Sequence, residues 1–262
     1  MDRLSEITFR LPGTPGSRDF LEQLRSLLDA VPYAAGGPGG RLTLTPARPV
    51  GARPVTVFEL ADVREPEVVL GAGRSVGGAD APRAGGDLSE PVGMAELTQR
   101  LAGHVKGVDH TGVNLPTCTT SPEEWRELTA ALASTTALYR YPTGEDWPFV
   151  LPTTPDELRD DIREFVVGRE PRFELVHDRW QTRTLWQFAL LTDLTRAELE
   201  QLFPEPWGTA IPELAEFFRV VPVRSPWPTG PDLRFDLCYR AEGGPSDWET
   251  GEWLVTEGGR LR

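Results

Sequence analysis

The first clear pattern is the spacing of apolar residues near the N-terminus. Ile7 to Leu11 alternates around Phe9, the two-residue period of a strand. Ser17 then serves as an N-cap for FLEQLRSLLDAV, where Phe20, Leu21, Leu24, Leu27 and Leu28 fall on one helical face. AAGGPGG breaks the chain, and Leu42 to Leu44 and Val55 to Leu60 read as short strands. Residues 1–70 are therefore expected to form a βαββ segment. Residues 71–92, rich in Gly, Ala, Asp and Pro, are expected to form a loop or linker.

Beyond the linker, Met94 to His104 suggests a short helix, and the pattern then becomes regular. Lys106 to Leu115 reads as a strand. Ser121, followed by Pro122 and by Glu124 three residues after the cap, opens a helix carrying Trp125, Leu128 and Leu132 on one face. Ala137 to Tyr141 and Trp147 to Leu151 read as strands. A helix capped by Thr154 covers PDELRDDIREFV, and Arg172 to His177 is a strand. The order then recurs: strand Thr184 to Leu191, a helix capped by Thr195 with Glu198 three residues on, and strands Phe218 to Val223, Leu233 to Tyr239 and Glu252 to Thr256. The expected fold class is α+β. Residues 93–262 would hold two βαβββ modules, about 105–178 and 183–258, forming a cupped mixed sheet.

Composition narrows the function classes. The chain of 262 residues carries a formal charge of −13, which disfavours nucleic acid and anionic membrane surfaces as partners. No apolar run reaches the roughly 20 residues of a bilayer span, and the N-terminus lacks a signal-peptide pattern, so a cytoplasmic location is the default expectation. The two cysteines, Cys118 and Cys238, have no metal-binding spacing and are expected as free thiols. No GxSxG, HExxH or Walker motif is present.

The candidate chemistry lies on the strand faces. Alternation puts Val108, His110, Gly112 and Asn114 on one side of their strand, with Gly112 allowing a close approach. Phe173 and Leu175 should face the helices, which turns Glu174 and Val176 to the other side. A carboxylate facing a sheet interior is costly unless paired or coordinated. In LRFDLCYR, Arg234, Asp236, Cys238 and Arg240 oppose Phe235, Leu237 and Tyr239. That face is either solvated or lines a polar pocket in which an Arg could grip a carboxylate or phosphate. Trp147, Trp180, Trp227, Trp248 and Trp253 could rim such a pocket or simply pack strand ends.

The paired order, with DHTGV on the first strand and ELVHD on the last strand of the first module, resembles the vicinal oxygen chelate superfamily of glyoxalase I, bleomycin-resistance proteins and extradiol dioxygenases. The resemblance covers about residues 105–258. It implies metal ligands at His110, Glu174 and Gln187 for a divalent ion such as Mn, Ni, Zn or Fe. Val255 stands where a fourth, carboxylate ligand is expected, with Glu252 and Glu257 nearby. Three functional readings follow. The first is a small-molecule-binding protein, metal-free or catalytically inactive, that uses Asn114, Arg234, Asp236 and Arg240. The second is a metal-dependent lyase, isomerase or dioxygenase, and the third an interaction protein. A homodimer is compatible with each.

Overall fold

The computed structural model describes residues 6–45, 55–70, 74–76, 91–135, 162–167, 172–178, 181–204 and 218–239. The chain is α+β, with two mixed six-stranded sheets and, among the described residues, four α-helices. In the first sheet, β1 (Glu6–Pro12) lies between β4 (Val55–Ala61), parallel to it, and β5 (Glu67–Leu70), antiparallel to it. Strands β2 (Ala34–Gly37) and β3 (Arg41–Leu44) extend one side, and β6 (Arg74–Val76) the other. Ala34–Gly37 therefore pairs as a strand where AAGGPGG suggested only a break. Strand β6 falls inside the stretch expected to be a loop.

Helix α1 (Pro15–Leu27) buries Phe20, Leu21, Leu24 and Leu27, the face that the spacing indicates. Its cap is Thr14 rather than Ser17. The Thr14 hydroxyl accepts from Ser17 N at 3.2 Å, and Pro15 takes the first helical position. Ser17 is instead fully buried and accepts from Trp227 Nε1 at 2.9 Å. Trp227 thus belongs to the core and does not rim a pocket.

The second sheet has the order β11-β12-β10-β7-β9-β8. Its centre is the antiparallel pair β7 (Val105–Pro116) and β10 (Leu185–Thr192). On one side, β9 (Arg172–Asp178) runs parallel to β7, and β8 (Ile162–Val167) is antiparallel to β9. On the other, β12 (Asp232–Cys238) runs parallel to β10, with β11 (Phe218–Val223) antiparallel to it. Around the Gly112–Gln187 pair the registers of the two halves match. One row reads Val166, Glu174, Gly112, Gln187, Arg234, Pro222 across β8, β9, β7, β10, β12 and β11. A local two-fold axis through the Gly112–Gln187 pair exchanges Glu174 with Arg234.

Helices α2 (Met94–Arg100), α3 (Pro122–Thr135) and α4 (Arg196–Leu202) complete the described elements. Ser121 and Thr195 cap α3 and α4 as the sequence indicates, and Thr195 with Glu198 makes a complete capping box. The helix expected from PDELRDDIREFV is corrected over its second half, since Ile162–Val167 forms β8. Spacings such as Ile162, Phe165 and Val166 suit either period, and the strand-favouring run Phe-Val-Val pairs with β9. The expected strands 137–141, 147–151 and 252–256 lie outside the described residues.

The inner faces of the two sheets share one hydrophobic core. Phe9 stacks on Phe58 of its own sheet, with ring centroids 4.7 Å apart, and meets Trp186 of the second sheet edge-on at 4.9 Å. Phe58 lies 5.8 Å from Phe188, which stacks on Phe235. The odd positions of β9 and β12 (Phe173, Leu175, Leu233, Phe235, Leu237) all point into this core. The even positions therefore face away from the first sheet. Among the described residues no helix is long and apolar enough to cross a membrane.

Candidate functional site

The face of the second sheet turned away from the first carries a buried polar row. Its members come from the four inner strands: His110 and Asp109 from β7, Glu174 from β9, Gln187 from β10, and Arg234 and Asp236 from β12. Glu174, His110, Gln187 and Asp236 are all buried, at 7, 6, 3 and 1% exposure. Ionic groups withdrawn from water this far persist only with partners, and each of these has them.

The row is built on two irregularities in β7. His110 pairs with Ala189 and Val108 with Leu190, so Asp109 has no opposite residue on β10, and a second register shift follows between Leu191 and Thr192. A β-bulge of this kind re-aims side chains. It brings Asp109 and His110, neighbours that strict alternation would separate, together at 2.7 Å between Oδ2 and Nδ1. It also turns Val108 into the core with Val105, Val113 and Leu115, correcting its expected place beside His110. The bulged backbone is held from the first sheet's side of the chain. Val108 N donates to the Tyr33 hydroxyl at 2.8 Å, and that hydroxyl donates to Val108 O at 3.3 Å. Tyr33 thus gives both backbone groups of Val108 a hydrogen-bond partner.

From His110 the bonds run across the sheet. His110 Nε2 lies 3.3 Å from Glu174 Oε2, and Gln187 Nε2 donates to the same oxygen at 3.2 Å. Arg234 Nη2 donates to Gln187 Oε1 and, at 2.9 Å, to Asp236 Oδ2. Both ring nitrogens of His110 face carboxylate oxygens, which fits an imidazolium or a neutral ring beside a protonated carboxyl. The trio Asp109–His110–Glu174 can therefore hold a proton and pass it along.

Gly112 makes the row possible. A Cβ there would stand 2.6 Å from Gln187 Nε2 and 2.7 Å from its Cγ. In most strands Gly→Ala is neutral or stabilising. Here Gly112→Ala is expected to displace Gln187 from both Glu174 and Arg234 and to cost about 1–3 kcal/mol, measured by urea denaturation. An unchanged midpoint would show that Gln187 can leave the row freely.

The residues singled out from sequence thus divide. His110, Glu174 and Gln187 converge, and Arg234 and Asp236 join the same row. Asn114 lies on the same face of β7, two residues past Gly112, where its Nδ2 donates to Asp178 Oδ2 at 3.3 Å. Arg240 and Val255 lie outside the described residues, as do Glu252 and Glu257. His177 is buried on the opposite face. It stacks on Trp125 of α3 at 5.0 Å, and its Nε2 is 3.0 Å from Thr120 O. His104 is half-exposed, 2.9 Å from Asp193 Oδ1. Burial pushes the Asp193 carboxyl up, but bonds from His104 and Lys106 outweigh it and hold the group below the usual carboxylate range. Cys118 is exposed and Cys238 buried, both as free thiols.

Strict alternation does not place Asp109 in the row, and the sequence carries one signal for it. Val105, Val108 and Val113 are three and five apart, odd steps that no regular strand can put on one face. The metal reading meets an obstacle. Among the described residues no group of three or more His, Cys, Asp or Glu side chains is placed to hold an ion. The oxygen that Gln187 would give a metal accepts from Arg234, while its nitrogen faces Glu174. Turning the amide over would set its N–H groups against the guanidinium, donor against donor. As arranged, His110, Glu174 and Gln187 fit a divalent ion poorly.

Two buried atoms at the β12 end of the row, Arg234 Nε and Asp236 Oδ1, have no hydrogen-bond partner among the described residues. Arg234 is also the row's most exposed member, its side chain 26% accessible. No protein-family model and no curated protein sequence matches this chain.

Proposed function

We propose that the chain binds a small, neutral, polar molecule at the Arg234–Asp236 end of the row, and does so without a metal. The scaffold would be the pair of βαβββ modules of the vicinal oxygen chelate type. The observation that carries this is the pair of unpartnered buried atoms, the donor Arg234 Nε and the acceptor Asp236 Oδ1, beside the row's most exposed side chain. An unsatisfied buried polar atom costs roughly 1–3 kcal/mol, a cost that a hydroxyl or carboxamide relieves when the partly exposed Arg234 side chain shifts to admit it, because each can accept and donate at once. An anion suits the position less well. Arg234 Nη2 already serves Gln187 and Asp236, and Glu174 and Asp236 repel added negative charge.

The test is a fragment screen by protein-observed NMR, using neutral alcohols and carboxamides with the matching carboxylates as controls. The expected result is saturable movement of the Arg234, Asp236 and Gln187 signals by neutral fragments only, abolished in Asp236→Leu. Stronger binding by the carboxylates, or movement unaffected by Asp236→Leu, would overturn the reading.

A further inference from the structure

We propose that the guanidinium of Arg234 is the resident cation of the row and closes the His110–Glu174–Gln187 donor set to divalent metals. This rests on the metal-free half of the reading above, while the neutral-ligand half has its own test.

The donor set would otherwise attract an ion. An imidazole nitrogen and a carboxylate oxygen stand 3.3 Å apart, with an amide 3.2 Å from the same oxygen. Donors on a shared ion with bonds of roughly 2.1 Å stand at comparable separations. What stands in the way is one side chain from β12. Arg234 acts in two ways. Its charge lies one hydrogen bond from Gln187, close enough to repel a second cation, and little solvent is present to screen the two. Its Nη2 also fixes the sense of the Gln187 amide, oxygen toward β12 and nitrogen toward Glu174, so that the wrong end faces the would-be ion.

Asp236 holds the guanidinium in this role. It is 1% exposed and bonds Nη2 at 2.9 Å, so Arg234 is anchored at the position that the local two-fold relates to Glu174. An acid stands on one side of the Gln187 amide and a base on the other. Asp236 then has an internal counter-charge in Arg234, one that cannot dissociate or be chelated, and Glu174 is reached from it through the Gln187 amide. Arginine suits this role because its Nη2 alone serves both acceptors, Gln187 Oε1 and Asp236 Oδ2.

The experiment measures Ni²⁺, Zn²⁺ and Mn²⁺ binding by calorimetry and elemental analysis, on full-length protein freed of any polyhistidine tag. Wild type is compared with the double variant Arg234→Gln/Asp236→Asn, which removes the cation and its buried counter-ion together. Wild type is expected to bind no stoichiometric metal. The double variant should bind one equivalent at least roughly tenfold more tightly, because losing the guanidinium next to Gln187 outweighs losing Asp236 behind it, and lose it again with His110→Ala. Stoichiometric metal in wild type that His110→Ala removes would overturn the proposal. So would a double variant with wild-type near-UV circular dichroism that gains no metal. A further arm uses wild type alone, so the proposal stays exposed even if the double variant fails to fold. Added Ni²⁺ should leave the Gln187 side-chain amide resonance sharp, and paramagnetic broadening there would overturn the inference.

Discussion

Phe9→Ala is expected to cost about 3–5 kcal/mol, the range for deleting a large buried aromatic, and to lower the stability of both sheets together. Phe9 has no exposed surface and meets Phe58 within its own sheet and Phe173, Trp186 and Phe188 across the interface. A void there removes contacts from both layers at once. Folded proteins hold only about 5–15 kcal/mol in total, so this single change should consume a large part of the margin. The measurement is urea denaturation followed in parallel by tryptophan fluorescence, which includes Trp186 in the second sheet, and by far-UV circular dichroism. One shared transition at lower urea is the expected outcome. Two separated transitions, with the tryptophan signal left at its wild-type midpoint, would mean that the sheets unfold independently despite their common core.

Glu174→Ala should have a comparable effect for a different reason. The carboxylate is where His110 and Gln187 both end, and removing it takes away the buried oxygen that the His110 ring and the Gln187 amide share. Breaking one side of a buried ionic group costs about 3–5 kcal/mol, because the partner is stranded without solvent. Glu174→Gln keeps an acceptor in place and should lose less. The ordering of the two variants is the discriminating readout. If Ala and Gln lose equally, or if Ala loses under about 1 kcal/mol, Glu174 is solvated and the row is not the buried unit described above.

Much of this arrangement could be read from local pattern. The helical face of α1, the caps at Ser121 and Thr195, and the two sides of β9 and β12 all follow from side-chain period and cap chemistry. Burial on those strands is strictly two-sided, and a period of two then reports the face directly. The reading failed where that period breaks. A bulge moves Val108 and Asp109 to faces that counting by twos denies them, and only the odd valine spacings hinted at it. It failed again at Ile162–Val167, where six residues fit a helix and a strand alike and the pairing with β9 decides. The position of Arg234 against Gln187 was beyond local pattern altogether. It depends on the register between β10 and β12, which no short-range spacing encodes.

The matched registers around Gly112 and Gln187 have one more consequence. Registers that match on either side of this pair do not themselves say which end is which, yet an amide does, since it is a donor on one side and an acceptor on the other. The line from Asp109 to Asp236 therefore has a direction that the matched registers at Gly112 and Gln187 do not supply. Glu174, with His110 beside it, terminates the line at β9, and Arg234, braced by Asp236, begins it at β12. A guest lying along this line would find two unlike ends and would be held in one orientation rather than two.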